Sequence, residues 1–181
     1  MVFLFYPWIL TTFAIMEVKE YNGNLLDSTA PLICHQVNCI GVMGSGVAKG
    51  IKDKWPVVLG KYKEYAEKIL SENGRRTASL LGKVLPVTVS PTQKVLNYFS
   101  EELPEGRGKR CTNYEALYQC LEKTADYCQK MGIERIALPY KLASVRGGAD
   151  WSVVLAMINA AFKNTNLTVE IWRLDLGWQK K

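Results

Sequence analysis

From Met16 onward, short apolar runs alternate with longer amphipathic stretches. The short runs predict strands, in the order MEVKEY, PLICHQV, KVLPVTV, KVLNYF, IERIALP and TVEIWRL. The longer stretches carry apolar residues at three- and four-residue spacing, and they predict helices that begin near Gly46, Pro56, Thr112 and Asp150. Because strands alternate with helices, the pattern predicts an α/β fold with a largely parallel sheet.

The third predicted helix has the clearest boundaries. Thr112 is followed three residues later by Glu115, which predicts a capping box with Thr112 as the N-cap. Gly132 predicts the end of this helix. Neither a linker nor a repeat interrupts the series of elements, so the sequence predicts one domain over residues 16–181.

Residues 1–15 stand apart from this pattern, because they are apolar and uncharged. They lack the positive region and the small-residue cleavage site of a signal peptide. Pro7 interrupts the stretch, which is too short for an ordinary membrane-spanning helix. The preferred interpretation is an upstream extension of the domain, and a weak membrane anchor is the alternative.

The charge of the chain favours an anionic partner. The sequence has 23 Lys and Arg against 17 Asp and Glu, which gives a formal net charge of +6. Such a balance suits phosphates, nucleotides or nucleic acid. The basic residues are spread along the chain and no RNA-binding signature is present, so a nucleic acid ranks last among these partners.

The five cysteines are Cys34, Cys39, Cys111, Cys120 and Cys128. Their odd number and the lack of a CxxC pair argue against a disulfide framework and against a zinc site. We therefore expect reduced, mostly buried thiols in a cytoplasmic protein. One histidine and scattered carboxylates do not form a ligand set, so we predict neither a metal nor a cofactor.

The first candidate for chemistry is HQVNCIGVMGSGVAKGI, residues 35–51. This segment leaves a buried strand, passes through Gly41, Gly44 and Gly46, and enters a helix. Glycines allow the backbone to approach a ligand, and amides at a helix start bind anions. The spacing fits neither a P-loop nor a dinucleotide fingerprint. A tight strand-to-helix turn without any ligand is an equal alternative.

The second candidate is PYKLASVRGGADW, residues 139–151, which has the same arrangement of elements. A strand ends, a loop with Gly147 and Gly148 follows, and a helix begins. Ligands of open α/β sheets bind at the carboxyl ends of strands, so two such loops predict a phosphate-bearing ligand between them. Arg146 is expected either to supply charge to a diphosphate or to remain a solvated loop residue.

Together these two segments resemble the macro domain family. The element Asn22-Gly23-Asn24-Leu25 also resembles the part of that family that lies beside adenine. The resemblance extends over roughly residues 16–175. It implies a three-layer α/β/α fold with a central mixed, largely parallel sheet, and it implies ADP-ribose or ADP-ribose 1''-phosphate as the ligand.

Within the family, ICHQVNC is similar to the yeast- and phage-type ADP-ribose-1''-phosphate phosphatases, in which a histidine stands three residues before the ribose-loop asparagine. His35 and Asn38 have this spacing. The branch also contains ADP-ribosyl hydrolases that act on acidic side chains or nucleobases. Those use a lysine that has no counterpart just after Phe99. The resemblance implies a phosphatase, with an ADP-ribosyl hydrolase or a non-catalytic ADP-ribose-binding module as alternatives.

The resemblance also implies roles for individual residues. Asn24 and Leu25 are expected to contact adenine, and Asn38 is expected to orient the distal ribose. The loop residues expected to hold the diphosphate and ribose are Gly44, Ser45, Gly46, Val47, Ala48, Ser144, Val145, Arg146, Gly147 and Gly148.

Three further residues have two possible roles each. His35 is expected to act as an acid or nucleophile, or to be a structural histidine in its strand. Asp150 is expected to activate water or hold a ribose hydroxyl, and it suits the N-cap of the last helix equally well. Phe99 is expected to stack near the distal ribose or to be a core aromatic.

Overall fold

The computed structural model describes residues 16–103 and 110–174, so the segment 1–15 lies outside the described residues. The described chain contains a six-stranded sheet with the spatial order β1-β6-β5-β2-β4-β3. The strands are β1 Glu17–Asn22, β2 Leu32–Asn38, β3 Val84–Ser90, β4 Gln93–Glu101, β5 Arg135–Pro139 and β6 Thr168–Arg173.

Within the described ranges, four helices cover the two faces of the sheet. They are α1 Gly46–Lys54, α2 Pro56–Glu72, α3 Tyr114–Met131 and α4 Trp151–Phe162. Two short 3-10 turns lie at Leu25–Asp27 and Thr77–Leu80. One apolar core packs the sheet against α3 and α4, and a second packs its other face against α1 and α2. The predicted three-layer α/β/α fold is therefore confirmed. None of these helices is long and apolar enough to cross a membrane.

The sheet is parallel except at one edge. The pairs β1·β6, β6·β5, β5·β2 and β2·β4 are all parallel, and β3 pairs with β4 in the antiparallel sense. β2 lies inside the sheet, and all but one of its residues are buried, which explains why it reads as a continuous apolar run. As a result, the carboxyl ends of five strands share one edge of the sheet, where open α/β folds bind their ligands.

The start of α3 differs from the sequence prediction. The N-cap is Asn113, whose side chain accepts a hydrogen bond from the Ala116 amide at 2.9 Å. The capping box predicted on Thr112 and Glu115 was therefore wrong by one residue. Thr112 instead donates its hydroxyl to the carbonyl of Ala143, at 3.1 Å, in the loop after β5.

The cap assignment gives a direct prediction. We expect Asn113→Ala to lower the free energy of unfolding by about 1 kcal/mol, because the Ala116 amide loses its acceptor. Asn113→Asp keeps an acceptor at the same place and is the matched control. Chemical denaturation measures both variants. Equal stabilities of the alanine and aspartate variants would contradict the assignment.

Candidate functional site

A cavity of about 650 Å³ opens along the shared carboxyl edge of the sheet. Its lining comes from the chain after β1, from the ends of β2, β4, β5 and β6, and from the loops that follow β2 and β5. Both glycine-containing segments that the sequence singled out therefore meet at one cavity. We call residues 39–45 the first loop and residues 140–150 the second loop.

The first loop delivers the N-terminus of α1 to the cavity. Ser45 is the N-cap of α1, but its side chain accepts no hydrogen bond from the helix. Gly46 has φ of +57°, and no acidic residue lies in the first turn. The first amides of a helix have no partner within it, and they carry its positive dipole end. Gly46 and Val47 are exposed, so the protein itself leaves the amides at this helix start uncapped.

Asn38 holds the first loop in shape. Its Oδ1 accepts the amides of Ile40 and Val42 at 3.1 and 3.2 Å, and its Nδ2 donates to the Val42 carbonyl at 2.7 Å. The Tyr62 hydroxyl lies 2.7 Å from the same Oδ1 and accepts the Gly41 amide at 3.1 Å. Most of the hydrogen-bonding capacity of Asn38 is thus used inside the protein, and one Nδ2 hydrogen is left for a ligand.

Hydrogen bonds from the residues just before α3, one of which is itself held by β2, keep the second loop in place. Gln36 donates to the Thr112 hydroxyl at 3.0 Å, and Thr112 donates to Ala143. The Gly147 carbonyl accepts the amides of Cys111 and Thr112, both at 3.0 Å. A β-carbon at Gly147 would lie 2.0 Å from the Thr112 hydroxyl oxygen and 2.4 Å from the Ala143 carbonyl oxygen. Close packing therefore accounts for glycine at this position.

The two loops approach each other across the cavity. A β-carbon at Gly46 would lie 3.9 Å from the Cγ atom of Arg146. Arg146 is exposed and makes no ion pair within the described part of the chain. Lys141 and Ala143 have φ of +57° and +61°, an uncommon conformation for residues with a side chain. Their strained backbone gives the second loop its path over the cavity.

His35 lies at the floor of the cavity and is only 1% exposed. Its Nε2 lies 2.8 Å from the Asn97 side-chain oxygen, while its Nδ1 is buried and has no hydrogen-bond partner among the described residues. Burial lowers the pKa of His35 to about 4, and the bond to Asn97 only partly opposes this. The imidazole is therefore neutral at neutral pH.

The buried neutral histidine makes stability depend on pH. His35 is the chain's one histidine, and its pKa falls from 6.5 in a free side chain to about 4 in the fold. The unfolded chain binds the proton more readily, so stability is fully present above pH 6.5 and is lost as the pH falls toward 4. We expect about 2 kcal/mol less unfolding free energy at pH 5 than at pH 7 from this group.

Chemical denaturation at both pH values tests this expectation, with His35→Gln as the comparison. The variant lacks the titrating group, so its unfolding free energy should fall between pH 7 and pH 5 by about 2 kcal/mol less than that of the wild type. An equal fall in the two proteins would show that His35 does not cause the pH dependence.

An aromatic and apolar surface lies at the β1–β6 end of the cavity. Asn24, Leu25 and Trp172 line this end. Asn24 is exposed, and its Oδ1 accepts the Leu26 amide at 3.0 Å, which leaves its Nδ2 as a donor. The Trp172 ring stacks on Tyr21 with a centroid distance of 4.9 Å.

A buried carboxylate fixes Trp172. Glu170 is 2% exposed, and its Oε2 accepts the Trp172 indole N–H and the Ser28 hydroxyl, both at 2.8 Å. Arg135 lies 3.4 Å from the other oxygen. The satisfied hydrogen bonds of Glu170 hold the indole in one orientation, because moving it would leave a buried charge with fewer partners.

Positive charge surrounds the opening. Lys141, Arg146 and Arg173 line the cavity, and Glu101 is the acidic residue among its described lining. The Arg173 guanidinium lies 4.0 Å from the centroid of the Tyr140 ring, which also lines the cavity. This excess of cations raises the local concentration of anionic ligands.

Twelve of the sixteen site residues suggested by the sequence line this cavity. They are Asn24, Leu25, His35, Asn38, Gly44, Ser45, Gly46, Val47, Ala48, Val145, Arg146 and Gly147. Ser144 and Gly148 belong to the second loop but do not line the cavity; the Ser144 carbonyl accepts the Gly148 amide at 3.1 Å.

Phe99 and Asp150 take the structural one of the two roles expected for each. Phe99 is fully buried, with its ring 5.5 Å from Tyr62 and 5.7 Å from Tyr65, so it belongs to the core and has no surface for a ligand. Asp150 does not line the cavity, and its Oδ1 accepts the amide and hydroxyl of Ser152. Asp150 is thus the N-cap of α4, and hydrogen bonds from Ser152 lower its pKa.

Several lining residues were not found from the sequence. They include Gln36, Glu101, Tyr140, Trp172 and Arg173. These five lie at or beside the carboxyl end of a parallel strand. Glu101, Trp172 and Arg173 lie at the ends of strands outside the two glycine-containing segments, and only the general rule that ligands bind at this edge of the sheet points to them. Within the described ranges, no group of three or more His, Cys, Asp or Glu could hold a metal ion.

Comparison with known proteins agrees with this architecture. A family model described as "Macro domain" matches residues 34–158. An ADP-ribose 1''-phosphate phosphatase of Aspergillus oryzae is 36% identical over 53 residues, which are 29% of this chain and 26% of that protein. One of Aspergillus clavatus is 30% identical over 64 residues, or 35% and 32% of the two chains. The matched segments thus span about a third or less of these relatives.

Solved structures show the same fold at lower identity. The macrodomain of Mycobacterium tuberculosis DarG has a TM-score of 0.71 at 22% identity, covering 86% of this chain and 96% of that one. The macrodomain of Thermus aquaticus DarG has a TM-score of 0.68 at 23% identity, covering 88% and 99%. Thermosipho africanus DarTG in complex with ADP-ribose has a TM-score of 0.70 at 19% identity, covering 87% and 41%.

Proposed function

Because this chain belongs to the Macro domain family, we propose that it binds ADP-ribose in the cavity and hydrolyses ADP-ribose 1''-phosphate to ADP-ribose and phosphate. The observation that carries the binding proposal is the uncapped N-terminus of α1, which faces a cavity with a cationic rim. The names of the partly matching relatives, and the ligand of the Thermosipho africanus structure, support the same ligand class.

The diphosphate fits between the two loops. The exposed amides at the start of α1 offer several N–H donors, and the helix dipole favours a negative group there. Arg146 reaches over the same helix start from the opposite loop. A charge-assisted contact from Arg146 and the α1 amides would neutralise the diphosphate without a metal ion.

The adenine fits the β1–β6 end. The free Nδ2 of Asn24 can donate to a ring nitrogen, and the fixed Trp172 and Leu25 supply apolar surface.

The opposite end of the cavity, at β2 and β4, presents the polar groups of Asn38 and Glu101 and suits the hydroxyls of the distal ribose. Four strand spacings separate β1 from β4, about 19 Å at 4.8 Å each. This length suits an extended dinucleotide-like ligand.

The depressed pKa of His35 changes its part in the proposed reaction. A neutral imidazole cannot serve as an imidazolium acid at neutral pH. We therefore propose that His35 forms a polar part of the cavity floor, beneath the distal ribose. The expected catalytic role of Asp150 finds no support in its position, because its carboxylate caps α4.

Phosphate release from ADP-ribose 1''-phosphate, measured beside ADP-ribose binding by calorimetry, tests the proposal. We expect turnover by the wild type and binding of the product in the same cavity. His35→Ala is expected to reduce turnover, with ADP-ribose binding as the check that the variant is folded. Turnover unchanged in His35→Ala would remove His35 from the reaction.

The second candidate function is a module that binds ADP-ribose without chemistry. The observation that favours it is that neither the His35 ring nor the Asp150 carboxylate is presented to the cavity as an exposed acid or base. ADP-ribose binding without phosphate release would support this candidate, and would contradict the phosphatase. Release of ADP-ribose from modified acidic side chains or nucleobases would instead favour an ADP-ribosyl hydrolase.

A further inference from the structure

Glu101 is the last residue of β4 and lines the polar end of the cavity. It is paired in register with Asn38 on the adjacent strand, and a β-bulge between Val37 and Asn38 sets this pairing. An isolated bridge joins Glu101 to Thr112, which braces the second loop. Glu101 therefore lies where the two loops and the end of β2 converge, at the end proposed for the distal ribose.

The surroundings of Glu101 suit a carboxylate that exchanges protons. It is half-buried and makes no ion pair with any residue in the described ranges. Burial raises its pKa, and a hydrogen bond from the Cys111 thiol partly opposes this. The nearby Cys39 thiol and Tyr62 phenol have raised pKa values too, so both are neutral at neutral pH.

The neighbouring carboxylate has different contacts. Glu102 accepts a hydrogen bond from the Thr77 hydroxyl at 2.7 Å and does not line the cavity. The Cys111 thiol, by contrast, links Glu101 to the second loop, because its Sγ also lies 3.7 Å from the Arg146 carbonyl oxygen. Glu101 is thus coupled to the loop that we propose holds the phosphate-bearing ligand.

We infer that Glu101 is the general base of the proposed hydrolysis, an inference that rests on the proposed function. The Glu101 carboxylate accepts a proton from a water molecule as the water oxygen forms a bond to phosphorus. The bond between phosphorus and the 1''-oxygen breaks, and its electron pair stays on that oxygen. Protonated Glu101 then returns the proton to the 1''-oxygen, which yields ADP-ribose and inorganic phosphate.

The test compares phosphate release by the wild type, Glu101→Gln and Glu102→Gln, with ADP-ribose affinity measured for each. Glutamine keeps the size of the side chain but cannot take the proton. We expect Glu101→Gln to lower kcat at least about 100-fold, the scale of general-base catalysis, with ADP-ribose affinity within about threefold of the wild type. Glu102→Gln should retain the wild-type kcat, since its carboxylate does not line the cavity.

The pH profile adds a second readout. The wild-type kcat should fall at acidic pH as Glu101 becomes protonated, and the residual activity of Glu101→Gln should lack this limb. Equal kcat values for the wild type and Glu101→Gln would overturn the role of Glu101 alone. Loss of ADP-ribose binding in Glu101→Gln would also overturn it, in favour of a binding role. A wild type that binds ADP-ribose without releasing phosphate would overturn the reaction itself, and the base with it.

Discussion

Val47→Glu is expected to weaken ADP-ribose binding about 100-fold while leaving the fold intact. Val47 is the second residue of α1, lines the cavity and is 36% exposed. A carboxylate there would lie within about 6 Å of a diphosphate bound at the helix start, which costs about 3 kcal/mol at an effective dielectric constant of 20. That cost corresponds to about a hundredfold in affinity.

The same change should stabilise the protein slightly, which separates binding from folding. A negative side chain in the first turn of a helix gains about 0.3 to 1 kcal/mol from the dipole. Val57→Glu is the matched control, because Val57 is the second residue of α2, is 50% exposed and lies outside the cavity lining. It should gain similar stability and bind ADP-ribose like the wild type. Equal affinities of the two variants, measured by calorimetry, would contradict a diphosphate site at α1.

Gly147→Ala is expected to lower the free energy of unfolding by about 3 kcal/mol and to abolish ADP-ribose binding. The new β-carbon would lie 2.4 Å from the Ala143 carbonyl oxygen and 2.7 Å from the Gln36 Oε1. A backbone oxygen cannot move aside like the tip of a flexible side chain, so the second loop must shift. Overpacking of this kind costs up to about 3 kcal/mol.

Gly60→Ala is the control for the glycine substitution itself. Gly60 is the fifth of the 17 residues of α2, and a β-carbon there would meet no atom within 4 Å. Replacing an unconstrained helical glycine by alanine stabilises a protein by about 0.5 to 1 kcal/mol. The two variants should therefore move the denaturation midpoint in opposite directions. A Gly147→Ala protein with wild-type stability would show that the second loop is not packed as described.

Much of the fold follows from the sequence because its strands and helices have different periodicities. The apolar run at β2 and the stripe on α4 report burial directly, so these elements were predictable. The N-cap of α3 was not, since Thr112 and Asn113 are both good caps and only the tertiary contact of Thr112 with Ala143 separates them. Local sequence does not contain that contact.

The candidate site also combines features that local sequence predicts with features that depend on tertiary contacts. Glycine-rich loops before helices are visible in the sequence, and the first loop and Gly147 lie at the cavity as expected. Trp172 and Glu101 have no local signature, because their presence at the cavity depends on the strand order β1-β6-β5-β2-β4. Phe99 and Asp150 were assigned from their neighbours in sequence, whereas burial and a capping bond decide what they contact.

An NMR titration of ¹⁵N-labelled protein with ADP-ribose tests where the ligand binds. We expect the largest amide shifts at Gly46, Val47 and Ala48, together with a shift of the Trp172 indole N–H at the far end of the cavity. These signals should stay unchanged in the Val47→Glu variant at the same ligand concentration. Binding that shifts amides elsewhere and leaves the start of α1 unaffected would show that this helix terminus does not hold the diphosphate.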